Sequence, residues 1–350
     1  MVSTEKKIAI LSFDGGGSKG VMELKILDDI FRLVTIVSTN PERVDYLVNE
    51  DIDENEVNFL EDESVRERLI KDMEAVKHPI HPTDVYDMIV GTSTGSLIAF
   101  GLVGGNKVGN DHHERKRMTI EECIQMYCAK TKMIFKKSWL HHVFSHAPGL
   151  SRVPIVPYSQ YSVKQTLYDL FGDCSLNDMG GENPLKNIAG AVTRKLGKNE
   201  DLVLFDTASK DYLDYKAYEV LLASSNAPVY FDTPVVIGNA KYVDGCVGGN
   251  CPLAPAIPRA KLLFRKDVEH VNIVSVLSIA PPSSPKWEIP SNGGLLSWLR
   301  YFVKVSTDGN SVFNDVVNQN RHKKTLFQRL SPRGKSLKKF KLDEINPKRC

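Results

Sequence analysis

The chain opens with a short, unbroken apolar run, Ile8 to Phe13, that stops abruptly at three glycines. A run of this length without alternation predicts a strand buried on both faces, as in a parallel sheet. The spacing then changes. Met22, Leu24, Ile26, Leu27, Ile30, Phe31 and Val34 recur with helical periodicity and predict a helix over 21–34. Val85 to Val90 predicts a second strand, and the small-residue run 96–102 a helix that packs closely. Further strands are expected over 188–193, 202–205 and 271–279, a helix over 218–225, and a β-like run ending at Asp244. Strands separated by helical patterns favour a parallel, doubly wrapped α/β sheet over an all-β fold. Residues 40–82 break this pattern. They are acidic, with Glu50, Asp51, Asp53, Glu54 and Glu56 close together, and read as a solvated insertion with a helix over 65–76 ended by Pro79 and Pro82.

Composition narrows the class. Of 350 residues, 42% are hydrophobic and 25% charged, with a net charge of +2, which suits a globular chain with a sizeable core and excludes a disordered one. No run of uncharged apolar residues is long enough to span a bilayer. The near-neutral total conceals an acidic stretch over 40–77 and basic stretches over 130–146 and 321–349. The polar start, Met1 to Lys7, does not read as a secretory signal. Cys123, Cys128, Cys174, Cys246, Cys251 and Cys350 lack paired metal-type spacing, so a reducing, cytoplasmic setting is expected. No cofactor, metal or nucleic-acid partner is expected. No calcium-loop pattern occurs, and the pairs His112-His113 and His141-His142 read as surface histidines.

Three segments carry candidate chemistry. Asp14-Gly15-Gly16-Gly17-Ser18-Lys19-Gly20 lies between a predicted strand and a predicted helix, where bare backbone amides can cradle a phosphate or an oxyanion. Gly15, Gly17 and Gly20 also fit a dinucleotide fingerprint, but no acid stands about twenty residues on to hold a ribose. The plain structural alternative is a tight turn with no ligand. Gly91-Thr92-Ser93-Thr94-Gly95 is a G-x-S-x-G sequence after a strand and before a helix, the context of a nucleophilic serine. Its alternative is a glycine-lined turn. A serine needs a base. His270 and His322 follow it in the chain, as the histidine of an α/β-hydrolase does, and Asp244-Gly245-Cys246 ends a β-like run in a glycine-rich loop.

Taken together and in this order, the segments resemble the patatin-like phospholipases, a family that includes plant patatins and calcium-independent phospholipases A2. Ala223-Ser224-Ser225-Asn226-Ala227-Pro228-Val229-Tyr230-Phe231 resembles the family stretch that precedes its aspartate, and Phe327-Gln328-Arg329-Leu330-Ser331-Pro332 another recurrent block. The resemblance implies a three-layer α/β/α fold with a mainly parallel sheet over 8–332, followed by a basic tail, 333–350. It implies a Ser93–Asp244 dyad without histidine, and an oxyanion hole from the amides of Gly15, Gly16 and Gly17. Asp14, Lys19, Gly20, Gly91, Gly95 and Gly245 match the surrounding motifs. It implies calcium-independent cleavage of glycerophospholipids or other long-chain acyl esters. Lys19 stands where the family usually has Arg, Cys246 where it has Gly or Ala, and Asn250-Cys251-Pro252 where two asparagines commonly precede the proline. A thiol beside the base is expected to make the site sensitive to oxidation or alkylation. Peripheral membrane contact is expected through Lys130 to Phe144, which mixes cations with Met133, Ile134, Phe135, Trp139, Leu140 and Phe144, and through the basic C-terminus. An esterase with a histidine base and a non-catalytic lipid-binding scaffold are the competing readings.

Overall fold

The computed structural model describes residues 5–42, 63–108, 111–134, 158–180, 185–198, 201–228, 230–231, 233–265, 270–282, 308–321 and 323–332. In chain order its strands are β1 (Glu5–Phe13), β2 (Met88–Thr92), β3 (Asn106–Val108), β4 (Asp111–Lys116), β5 (Ile188–Leu196), β6 (Leu202–Asp206), β7 (Val235–Ile237), β8 (Ala240–Asp244), β9 (His270–Ile279) and β10 (Leu326–Leu330). The longer helices are α1 (Gly20–Thr39), α2 (Glu63–Glu74), α3 (Thr94–Val103), α4 (Ile120–Ile134), α5 (Gln160–Phe171), α6 (Ala217–Ser225), α7 (Leu253–Phe264) and α8 (Gly309–Gln319).

One sheet runs in the order β10-β9-β1-β2-β5-β8-β7, with β6 also paired to β5, while β3 and β4 form a separate hairpin. The first five strands are mutually parallel; at one end β6 and β8 run antiparallel to β5, and β7 antiparallel to β8. Alternation along β1 sorts the core into two layers. Leu11 and Phe13 join α1, α3, α4, α5 and α6 on one face. Ile8 and Ile10 join α7 and α8 on the other. This is a three-layer α/β/α fold with a mainly parallel sheet, as the family resemblance implies.

The acidic excursion is described only in part. Its helix, α2, has no buried residue. Arg32 of α1 holds the end of it, donating from Nη1 to the carbonyls of Met73 (3.2 Å) and Val76 (2.6 Å). Residues 43–62, most of 130–144 and the tail 333–350 lie outside the described residues, as does His322. Among the described residues no helix is long and apolar enough to cross a membrane.

Sheet register brings the functional segments together. β2 pairs with one edge of β5 only as far as Thr92–Val192. There β2 leaves the sheet, and β8 takes over the same edge, starting with Asp244 opposite Thr193. The opposite edge of β5 is filled by β6 over the same residues. The end of β2 and the end of β8 therefore meet head to head, Ser93 beside Asp244.

Candidate active site

Ser93 links β2 to α3 with φ +55° and ψ −127°, one of two described non-glycine residues with positive φ. Such backbone is costly for a residue with a Cβ, roughly 1–3 kcal/mol, and survives only where the surroundings enforce it. They do so here. The Ser93 amide donates to Ser224 Oγ (3.1 Å), which donates onward to the Val192 carbonyl (2.8 Å). The amide of Ser96 donates to the Ser93 carbonyl at 3.0 Å. Gly95 then lies where its backbone touches the first loop: a Cβ there would come within 2.6 Å of the Phe13 and Asp14 carbonyl oxygens. Gly91 packs on Gly95, and Gly245 on the Val192 carbonyl, so these motif glycines permit the convergence. The Ser93 hydroxyl makes no capping bond to α3 and stays half-buried at the amino end of the helix, where positive potential favours developing negative charge.

Asp244 is fully buried. Its amide donates to the Asn226 carbonyl (3.1 Å), which ties Asp244 to the Ala223–Phe231 segment. Its Oδ1 accepts from the Cys246 amide at 2.8 Å. The other oxygen, Oδ2, is sealed from solvent and completes no hydrogen bond. The Ser93 hydroxyl is near enough to pull the Asp244 pKa down, but the contact falls short of full hydrogen-bond geometry, as is common before substrate binds. Burial dominates and pushes the carboxyl up to about 7, against the opposing pull of the Cys246 amide, Ser93 and Cys246. A buried carboxyl poised near neutrality is suited to take and return a proton.

The glycine loop sits against Ser93. A Cβ on Gly15 would lie 3.0 Å from the Ser93 Cβ and 2.5 Å from Asn250 Oδ1. The three residues of the loop have different partners. The Gly15 amide donates to the Asn250 carbonyl, a long bond at 3.3 Å. The Gly16 amide makes only a long bond, 3.3 Å, to Thr94 Oγ1. Gly17, with φ +56°, turns its carbonyl to the Tyr127 hydroxyl. Gly20 starts α1 against the Tyr127 ring. Lys19 is buried, which lowers its pKa. The Asp14 carboxylate points to the other side of the sheet, where Arg329 holds it.

The histidine alternatives fare differently. His270 opens β9 opposite Glu5, whereas the glycine loop follows Phe13, which pairs with Ile279. That places His270 at the far end of the sheet, about 30 Å of strand away. Among the described residues no group of three or more His, Cys, Asp or Glu is placed to hold a metal ion. Sequence reasoning missed the roles of Ser224, Asn226, Asn250 and Thr94, which support the turn, Asp244 and the loop. Their signal was the polar residues inside the Ala223–Phe231 and Asp244–Pro252 segments, where a core-facing stretch would be apolar.

Cys246 differs from the expectation of a reactive thiol. It is buried, and burial and the neighbouring Asp244 charge push its pKa well above the usual thiol value. A thiol kept protonated is unreactive. Iodoacetamide at pH 7.5 should label the half-buried Cys128 of the folded protein and leave Cys246 unmodified by peptide mass spectrometry. Rapid labelling of Cys246 would contradict this placement.

The fold and the turn at Ser93 define the class: a three-layer α/β protein with a nucleophile-elbow geometry at the carboxyl ends of its parallel strands. The family model described as "Patatin-like phospholipase" matches residues 74–257, more than half of the chain, and the protein belongs to that family. The matched span includes Ser93 and Asp244, and the glycine loop precedes it. Calcium-independent phospholipase A2-gamma of Homo sapiens is 24% identical over 288 residues, 77% of this chain and 28% of that protein. Its Rattus norvegicus counterpart is 23% identical over 277 residues, 73% of this chain and 26% of that protein. The chain thus spans about a quarter of the length of these curated relatives. Among solved structures, VipD from Legionella pneumophila is similar with a TM-score of 0.29 and 11% identity, over 94% of this chain and 62% of that one.

Proposed function

We propose that the protein is a lipid acyl hydrolase of phospholipase A type, acting through a Ser93–Asp244 dyad without calcium. The observation that carries this reading is the strained serine beside a buried carboxyl whose pKa is raised to about 7. The Ser93 hydroxyl oxygen attacks the ester carbonyl carbon while its proton passes to Asp244. The carbonyl electrons move onto oxygen, and that oxyanion is received by the amides of Gly16 and Gly17, the Gly16 amide exchanging its long bond to Thr94 for a stronger one. Collapse of the tetrahedral adduct breaks the bond to the alcohol, which leaves with the proton from Asp244. Water then attacks the acyl-Ser93 ester, giving a proton to Asp244. Collapse releases the fatty acid, and the proton returns to Ser93. The proton that leaves with the alcohol is replaced by one from water, so the dyad ends the cycle as it began.

Family membership and the relatives named as calcium-independent phospholipases support a glycerophospholipid or related acyl ester as substrate. Such a substrate requires a peripheral encounter with a membrane, for which the cationic and aromatic segment 130–144 and the basic C-terminal stretch are the candidates. The test is fatty-acid release from phosphatidylcholine vesicles in excess chelator, together with labelling by a serine-directed fluorophosphonate. The rate should be unchanged by chelation and the label should map to Ser93. A rate recovered only with added calcium, or a label elsewhere, would overturn the reading.

A further inference from the structure

Behind the glycine loop lies a polar assembly that the dyad mechanism does not use. Asp14 is 1% exposed and immediately precedes Gly15. Arg329, on the last strand β10, grips its carboxylate with both prongs: Nη2 to Oδ2 at 2.7 Å and Nη1 to Oδ1 at 3.1 Å. The guanidinium has no freedom left. Nη1 also donates to Ser278 Oγ (2.7 Å), Nε donates to Asn310 Oδ1 (2.8 Å), and the group lies 5.3 Å from the Phe313 ring centroid. Gly309, at the start of α8, packs directly on the Asp14 carboxylate. Two-pronged ion pairs of this kind fix geometry as well as charge.

The loop needs such an anchor. Three consecutive glycines are conformationally free, and ordering each backbone residue costs on the order of 1–2 kcal/mol. The glycines carry no side chains of their own; their side-chain ties are Thr94 Oγ1, which accepts from the Gly16 amide (3.3 Å), the Tyr127 hydroxyl, which donates to the Gly17 carbonyl, and Asp14 at the start of the loop. The other supports are backbone bonds, from Asp14 to Ile279 (3.1 Å) and from Gly15 to Asn250 (3.3 Å). A second carboxyl, Glu23, is fully buried beside Gly16, and neither of its oxygens has a hydrogen-bond partner. Burial, and after it the neighbouring Asp14, pushes its pKa well above the usual carboxylate range. Without Arg329, the buried Asp14 carboxylate would lose its cation.

We propose that Arg329 is a positioning residue for catalysis: by clamping Asp14 it sets the orientation of the Gly16 and Gly17 amides toward the oxyanion. This rests on the hydrolase reading for its kinetic consequence but not for its structural one, and the experiment separates the two. In Arg329→Gln, amide hydrogen exchange in the peptide covering 13–20 should accelerate at least tenfold, whether or not the wild type hydrolyses lipid. Exchange unchanged from wild type would overturn the proposal. With the wild type active and labelled at Ser93, Arg329→Gln should lower kcat about a hundredfold with KM within about threefold, the size of a lost oxyanion donor. Arg329→Lys should recover part of kcat, since it keeps the charge and loses the fork.

A distant ion pair supplies the control. Arg259 Nε donates to the buried Asp206 carboxylate at 2.7 Å, away from the dyad. Arg259→Gln should lower thermal stability and leave kcat near wild type. If Arg259→Gln and Arg329→Gln lose the same thermal stability and the same kcat, the clamp is merely structural and the proposal fails. Absent wild-type hydrolysis with accelerated exchange in Arg329→Gln would instead sink the hydrolase reading and leave the clamp standing.

Discussion

Ser93→Ala is expected to lower vesicle hydrolysis by at least about a thousandfold and to abolish fluorophosphonate labelling, with the fold intact. The size of the loss follows from removing the only atom that forms the acyl bond. Preservation of the fold follows from what holds the turn. Ser224 Oγ accepts from the backbone amide at position 93, and the Ser96 amide donates to the carbonyl there, so neither bond involves the deleted hydroxyl. A companion variant separates catalysis from strain. At φ +55° and ψ −127°, Ser93→Gly removes roughly 1–3 kcal/mol of backbone strain and adds about 0.5–1 kcal/mol of glycine entropy cost. Strain relief outweighs the entropy cost. Ser93→Gly should therefore be inactive and melt slightly higher than wild type. Full lipid hydrolysis by Ser93→Ala would end the assignment of Ser93 as nucleophile. A lower melting temperature for Ser93→Gly would show that the turn is not strained.

How much of this was legible in the sequence depended on whether the signal was local. The strand at Ile8–Phe13 and the helices after the two glycine turns carry their own periodicity and punctuation, and the structure places them within a few residues of expectation. The turn at Ser93 was legible because a strained turn needs glycines at fixed offsets close by in the chain, whereas Asp244 stood out from His270 and His322 only through the family resemblance. The meeting of β2 and β8 on one edge of β5 is not local. It depends on where two ladders end, at Val192 and Thr193, which no window of residues announces. The same holds for the clamp, whose partners stand at positions 14 and 329. The partner of the Gly15 amide is equally non-local, since Asn250 reaches it from another loop.

Asp244→Asn is expected to lower kcat by about a hundredfold to ten-thousandfold, the range for losing a general base, while making the protein more stable at alkaline pH. Asparagine keeps the shape and can still accept from the Cys246 amide, so the change isolates the charge. In the unfolded chain the carboxyl titrates near its ordinary value of 3.8, and in the fold at about 7. Between those values only the folded state retains the proton. The group's contribution to stability is therefore full below about pH 4 and is lost as the pH rises through 7. The rise from 3.8 to about 7 sets an upper bound of about 4 kcal/mol on that contribution, from which an unpaired buried amide would subtract about 1–3 kcal/mol. Asp244→Asn should thus match or exceed wild-type stability at pH 8, and the difference should move against the variant at pH 5. Catalysis has the opposite dependence. The base works as carboxylate, so wild-type kcat/KM should rise about tenfold per pH unit up to a bend near 7, with about one molecule in a hundred competent at pH 5. A bend near pH 4 would mean that Asp244 is solvated in the working enzyme. Activity of Asp244→Asn within tenfold of wild type would mean that another group takes the Ser93 proton.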